Sequence, residues 1–209
     1  GGVFQVNSDK TRAIRTLARE AQWFEDRMPW DPVYRRQGVT GVTGNAVDVV
    51  IETGHAGPVT PVGINLPNDQ QVRERYGSKS VTLSNVTEAY EKSTPRGFRR
   101  EFSWTPEETA RAETWAAFVG ELQTCMHEVI GHGSGRVEER LGGNPHAFLR
   151  EYFSALEEGR ADLAALYFLP DPKIVELGLV PEAAHADILL AGYESYSRNA
   201  LVQLRRIRE

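Results

Sequence analysis

Between Lys10 and Asp26 apolar residues recur at Ile14, Leu17, Ala18, Ala21 and Phe24, a spacing that predicts an amphipathic helix, ended by Pro29 and Pro32. From Val39 to Val62 the pattern changes to β-branched residues punctuated by Gly41, Gly44, Gly54 and Gly57, with Ala46 to Ile51 the clearest strand. No other stretch reads as convincingly β. Asn65 to Asn68, with Pro67 inside it, predicts an extended loop. Thr105-Pro106-Glu107-Glu108 has the form of a capping box with proline at the first helical position, opening a helix through Trp115, Phe118, Val119 and Leu122. Asn144-Pro145 opens another through Phe148, Tyr152, Leu156 and Leu163 to about Phe168, closed by Pro170 and Pro172. Pro181-Glu182 starts a last helix that is still periodic at Glu209. The pattern predicts an α+β chain, predominantly α-helical, with a small β region near residues 39–62. Two parts are expected: residues 1–100, an N-terminal helix with a small β and loop region carrying the asparagines, and residues 101–209, helical throughout. Internal repeats, heptad arrays and low-complexity linkers are absent from the sequence.

The helix opened at Thr105 runs into His127-Glu128-Val129-Ile130-Gly131-His132, followed by Gly133-Ser134-Gly135. Histidines four apart on a helix lie about 40° apart and can share a metal, whereas five apart they diverge by about 140°. The pair converges only if the extra residue is absorbed by local unwinding or a π-bulge, and Gly131 is where that distortion is cheapest. The plain alternative is an apolar helix that carries two histidines and a glutamate by coincidence. Downstream, Glu157-Glu158-Gly159-Arg160-Ala161-Asp162 lies within the next helical pattern, with Glu158 and Asp162 on one face. A catalytic zinc takes three protein ligands and keeps a fourth position open, so two histidines require one carboxylate, for which Glu158 is the choice. Glu157 and Asp162 then stand as acceptors for the other ring N–H of each imidazole. The alternative for this cluster is a solvated helix face on which Arg160 pairs with its neighbours. Both clusters in one chain, each at a metal-site spacing, favour the metal reading. Glu128, beside His127, can approach an attacking water without binding the metal. Asn65 and Asn68 offer amides that could meet a substrate's backbone, or simply shape a turn.

Composition narrows the picture. A chain of 209 residues with 40% hydrophobic content can bury one sizeable core. Its net charge of -5 gives no footprint for nucleic acid, and the positive stretches at Arg96 to Arg100 and Arg205-Arg206-Ile207-Arg208 read as solvated surface. One cysteine, Cys125, excludes an intramolecular disulfide and a cysteine-rich zinc site, and reads as a small buried side chain. No apolar run reaches the ~18 to 20 residues that span a bilayer, so a soluble segment without membrane insertion is expected. A cytoplasmic location is the expectation, although a fragment need not carry its parent's targeting segment. The Gly1-Gly2 start and the helix still running at Glu209 predict a piece of something longer.

The His-Glu-x-x-Gly-His motif with a later Glu-Glu-x-Arg-Ala-acid motif resembles the dipeptidyl peptidase III family of zinc exopeptidases. Gly63 to Asn68, Gly77 to Val86 and Trp30-Asp31-Pro32 match it as well, so the resemblance runs from about residue 20 to the C-terminus. It implies one Zn²⁺ per chain held by His127, His132 and Glu158, with Glu128 as the general base that activates water, and with Asn65 and Asn68 on the substrate's backbone. Tyr196 and Arg198 lie in a segment where some members carry a histidine proposed to contact the reacting carbonyl, and are expected to touch substrate. Members release dipeptides from the N-termini of short peptides and have two lobes, one helical and zinc-binding. The expectation is therefore a metallopeptidase acting on short peptides, in the form of a catalytic-region fragment of a bacterial-type member whose remaining lobe is missing. The alternative is a zinc-binding, peptide-recruiting module or truncated lobe without turnover.

Overall fold

A computed structural model describes residues 2–54, 60–67, 69–95, 97–141 and 144–204. The expectations at Gly57, Asn68, Arg96 and the segment 205–209 lie outside these residues. The described chain is an α+β structure dominated by helices.

Strand β1 (Gly2–Val6) is followed by α1 (Ser8–Arg19), whose first turn is capped by the Asn7 side chain accepting from the Lys10 N–H at 3.2 Å. The helix expected over Lys10 to Asp26 breaks at Glu20 and resumes as α2 (Ala21–Glu25). Its apolar stripe behaves as the periodicity requires: Ile14, Leu17 and Phe24 are fully buried. Strand β2 (Thr43–Glu52) covers the predicted strand. Three further strands lie outside the expected 39–62 window: β1, β3 (Gly63–Leu66) and β4 (Lys79–Leu83). Together they form one mixed sheet in the order β1-β2-β4-β3, with β2 and β4 parallel and the two outer pairs antiparallel. Asn65, expected in a loop, therefore sits in β3 opposite Ser80 of β4. The reason is pairing at long range, which a short stretch containing asparagine does not advertise.

Helix α3 (Gln70–Tyr76) joins β3 to β4, and α4 (Ser84–Ser93) and α5 (Phe98–Glu101) lead from the sheet to α6 (Pro106–Met126). Thr105 caps α6 by accepting from the Glu108 N–H at 3.2 Å, while Glu108 reaches back to the Trp104 N–H at 2.8 Å. After α6 come a π-helical turn at His127–Gly131, the short α7 (Pro145–Leu149), a 3₁₀ turn at Arg150–Tyr152 and α8 (Phe153–Phe168). The single helix expected from Asn144 to Phe168 is thus interrupted, and at Arg150 the backbone takes a positive φ of 49°. The chain ends through α9 (Lys173–Glu176) and α10 (His185–Leu204).

The core lies between α1, α6, α8 and α10, where Phe24 and Phe168 meet edge to face at 4.9 Å. On α8 the buried residues are Ala161, Ala164, Ala165 and Phe168, whereas Tyr152, Leu156 and Leu163 are exposed. Small side chains face inward because α8 approaches the π turn closely. A Cβ at Gly131 would stand 2.8 Å from the Ala161 Cα. Among the described residues no helix is long and apolar enough to cross a membrane.

Candidate metal centre

The extra residue between the histidines is absorbed where the spacing required it. His127–Gly131 forms the π turn, and the His132 N–H reaches back five residues to the His127 carbonyl at 2.9 Å. Widening the turn brings the two Nε2 atoms within 3.0 Å of each other, the rings standing edge to face. Glu158, from the middle of α8, places Oε2 3.2 Å from the His127 Nε2 and Oε1 3.5 Å from the His132 Nε2. Two ligands each about 2.0–2.1 Å from a tetrahedral ion stand about 3.3 Å apart, so the three separations fit one small cation. Glu158 is the exposed member of the set, 63% open at its side chain.

The outer nitrogens support the same arrangement. His127 Nδ1 lies 2.7 Å from Asp162 Oδ1, and His132 Nδ1 lies 2.9 Å from Glu157 Oε1. A carboxylate on Nδ1 keeps the proton there and leaves the Nε2 lone pair facing inward. Two inward lone pairs at 3.0 Å repel unless a cation or a proton lies between them. Two imidazoles and a carboxylate form a group able to hold a metal ion. Burial works against a charge on His127, but the hydrogen bond to Asp162 and the charges of Glu128, Asp162 and Glu158 outweigh it and raise its pKa. Burial also works against a charge on Glu157, yet hydrogen bonds from His132 and Arg160 bring its carboxyl down to about 2.

That depression makes a prediction about the metal-free chain. A carboxyl at about 2 in the fold, against an ordinary 4.5, stabilises the fold above pH 4.5, and the contribution disappears as pH falls from there toward 2. Its full size is on the order of 3 kcal/mol. Urea unfolding of Glu157→Gln at pH 6 and pH 3 should show a smaller loss of stability on acidification than in the unsubstituted chain; equal losses would contradict it.

Glu128 is not among the convergent ligands. It is 6% exposed, its Oε2 has no hydrogen-bond partner, and burial pushes its pKa up against the opposing pull of His127 and His132. A carboxyl held in this way is a better base than one in water. Gly63 of β3 leaves the room that it occupies, since a Cβ there would lie 2.3 Å from Glu128 Oε1. Gly63→Ala is therefore expected to displace the carboxylate and bring its raised pKa back toward the ordinary carboxylate range, as an NMR titration would read; an unchanged titration would show that the carboxylate has other room.

Glu128, His127, His132, Glu157, Glu158, Asp162, Asn65 and Tyr196 all line one cavity of about 1500 Å³. Tyr196 donates its hydroxyl to Asp162 Oδ2 at 3.1 Å. Asn65 presents a buried Oδ1 without a partner. Arg198 is not brought to this cavity: it is 4% exposed, pairs with Glu108 at 2.5 Å and meets Ser103 at 3.3 Å, so its charge is already engaged between α6 and α10. Asn68 lies outside the described residues. Cys125 is buried in the core with its thiol pushed up to about 12, which leaves it neutral and unreactive.

Several supporting residues escaped the sequence reading. Glu25, 1% exposed, accepts from the Gly135 N–H at 2.9 Å and the Arg36 N–H at 2.8 Å. The Arg36 guanidinium holds the Gly133 carbonyl, and Arg73 reaches the His132 carbonyl at 3.4 Å. Arg160, expected to pair with its neighbours, does so with Glu157 and also reaches the Ser134 hydroxyl. The glycine-rich loop after the second histidine is thus anchored to the fold on several sides. The available signal was Glu25 itself, an acid beside Phe24 on the buried side of its helix.

The model of Peptidase family M49 matches residues 1–144, a span that includes the histidine motif. Dipeptidyl peptidase 3 of Rattus norvegicus and that of Homo sapiens are each 24% identical over 98% of this chain and 30% of their own length. The Dictyostelium discoideum protein of the same name is 26% identical over 85% of the chain and 29% of its length. The solved structure of DPP III from Caldithrix abyssi matches with a TM-score of 0.70 at 22% identity, over 95% of this chain and 37% of that one. That of dipeptidyl-peptidase III from Corallococcus sp. strain EGB gives 0.74 at 20% identity, over 93% and 36%. These structural likenesses bear on the fold, and the chain spans about a third of the length of the proteins it matches. On the family match across well over half of its residues, the chain belongs to peptidase family M49.

Proposed function

We propose that this chain carries the zinc site of a metallopeptidase that releases dipeptides from the N-termini of short peptides. The observation that carries the reading is the convergence of His127, His132 and Glu158 beside a buried, non-ligating Glu128. The names of the relatives, dipeptidyl peptidases from animals and a slime mould, supply the reaction class.

His127, His132 and Glu158 would hold the metal, with Asp162 and Glu157 fixing the two imidazoles in the tautomer that presents Nε2 to it. When bound, zinc supplies Lewis acidity that polarises the scissile carbonyl and lowers the pKa of water. Glu128 removes a proton from the attacking water and delivers it to the leaving amine nitrogen. Its burial favours the uncharged form it takes after accepting that proton. Asn65, on the edge strand β3, lines the cavity beside the path of an extended substrate laid along that strand. Tyr196 borders the site through Asp162. Residues 1–100 thus supply the wall that meets the substrate, and residues 101–209 the metal donors.

A second reading is metal and peptide binding without turnover. It gives no use to a buried carboxylate that ligates nothing. Hydrolysis of a dipeptidyl 2-naphthylamide, abolished by a chelator and absent with the N-acetylated substrate, is the result expected of the exopeptidase. Zinc uptake with no hydrolysis of either substrate would favour the second reading.

A further inference from the structure

The widened turn changes the hydrogen bonding of one particular carbonyl. In an α-helix the His132 N–H would take the Glu128 carbonyl, four residues back; here it takes that of His127 instead. The Glu128 carbonyl is released from the helix ladder at a buried residue, where an unpaired carbonyl is costly. Two side chains from the sheet receive it. Ser80 Oγ donates at 3.1 Å and Asn65 Nδ2 at 3.0 Å, and Nδ2 also lies 2.9 Å from Ser80 Oγ. The two residues are register partners in the antiparallel β3–β4 ladder, so the strands hold both donors side by side. Ser80 is completely buried and does not line the cavity.

We propose that Ser80 and Asn65 are positioning residues for the metal centre: they cap the carbonyl freed by the extra residue and so hold the turn in the form that sets His132 beside His127. The proposal rests on the metal reading of the site. Without the caps, the regular α-helical turn gains on the π turn, because it returns the Glu128 carbonyl to the ladder and needs no side-chain donor. It also carries His132 away from His127, by about 140° around the helix. Asn65 thus serves twice, its Nδ2 spent on the Glu128 carbonyl while the residue also lines the cavity. Its loss should therefore weaken metal binding as well as substrate binding.

The test compares Ser80→Ala, Asn65→Ala, the pair, and Ser80→Thr, which keeps the hydroxyl. Zinc affinity is read by competition with a chromogenic chelator, and ligand geometry by the visible absorption of the cobalt-substituted chain. Loss of one cap should weaken zinc about 10-fold and loss of both about 100-fold, the range for groups that orient metal ligands. The cobalt spectrum should shift, and Ser80→Thr should recover most of the affinity. If Ser80→Ala does not fold, Asn65→Ala, at a partly exposed position, carries the same comparison. Unchanged affinity and an unchanged cobalt spectrum in the folded variants, with the unsubstituted chain binding zinc, would overturn the proposal. Failure of the unsubstituted chain to bind zinc would instead overturn the metal reading beneath it.

Discussion

Glu128→Gln is expected to leave zinc binding within a few-fold of the unsubstituted chain and to lower hydrolysis of a dipeptidyl substrate by about 10²- to 10⁴-fold, the usual contribution of a general base. The substitution keeps the shape that Gly63 accommodates and removes only the ability to take a proton. Zinc should stay because the convergent donors are His127, His132 and Glu158, while Glu128 is buried apart from them with Oε2 unpartnered. Zinc stoichiometry and initial rates measured on one preparation separate the two effects. Zinc lost together with activity would make Glu128 part of the metal's support, and retained activity would remove it from the chemistry.

Glu158→Ala is the second large effect. Loss of an outer partner such as Glu157 or Asp162 costs metal affinity about 10- to 100-fold, and removing a ligand should cost more than the upper end of that range. Glu158 is the most exposed of the donors, so its truncation leaves no core cavity and should hardly move the melting temperature of the metal-free chain. A chelator-competition titration with that melting curve beside it is the appropriate measurement. Unchanged affinity would place the third ligand elsewhere, and Asp162, 38% exposed and already beside His127, would be the first to examine.

The parts of this architecture legible in the sequence are those governed by local rules. The Thr105 cap, the start of α6 at Pro106 and the end of α8 before Pro170 follow from chemistry within a few residues. The five-residue histidine spacing also narrowed the metal reading to local unwinding or a π turn, of which the chain adopts the second, because no regular helix brings such a pair together. What the sequence hid depends on distant partners. Strands β3 and β4 are short and take their identity from each other and from β2. The large apolar residues Leu156 and Leu163 of α8 fit a helical period but face outward, and where α8 packs on Gly131 the small Ala161 makes the contact. Ser80 showed no sign of a role, since the carbonyl it caps becomes free only after the turn has widened.

The most direct measurement is zinc per chain by elemental analysis, for the unsubstituted chain and for His132→Ala, after loading and removal of excess metal. The account predicts about one zinc per chain, lost in the variant. No zinc in the unsubstituted chain, or equal zinc in both, would contradict it.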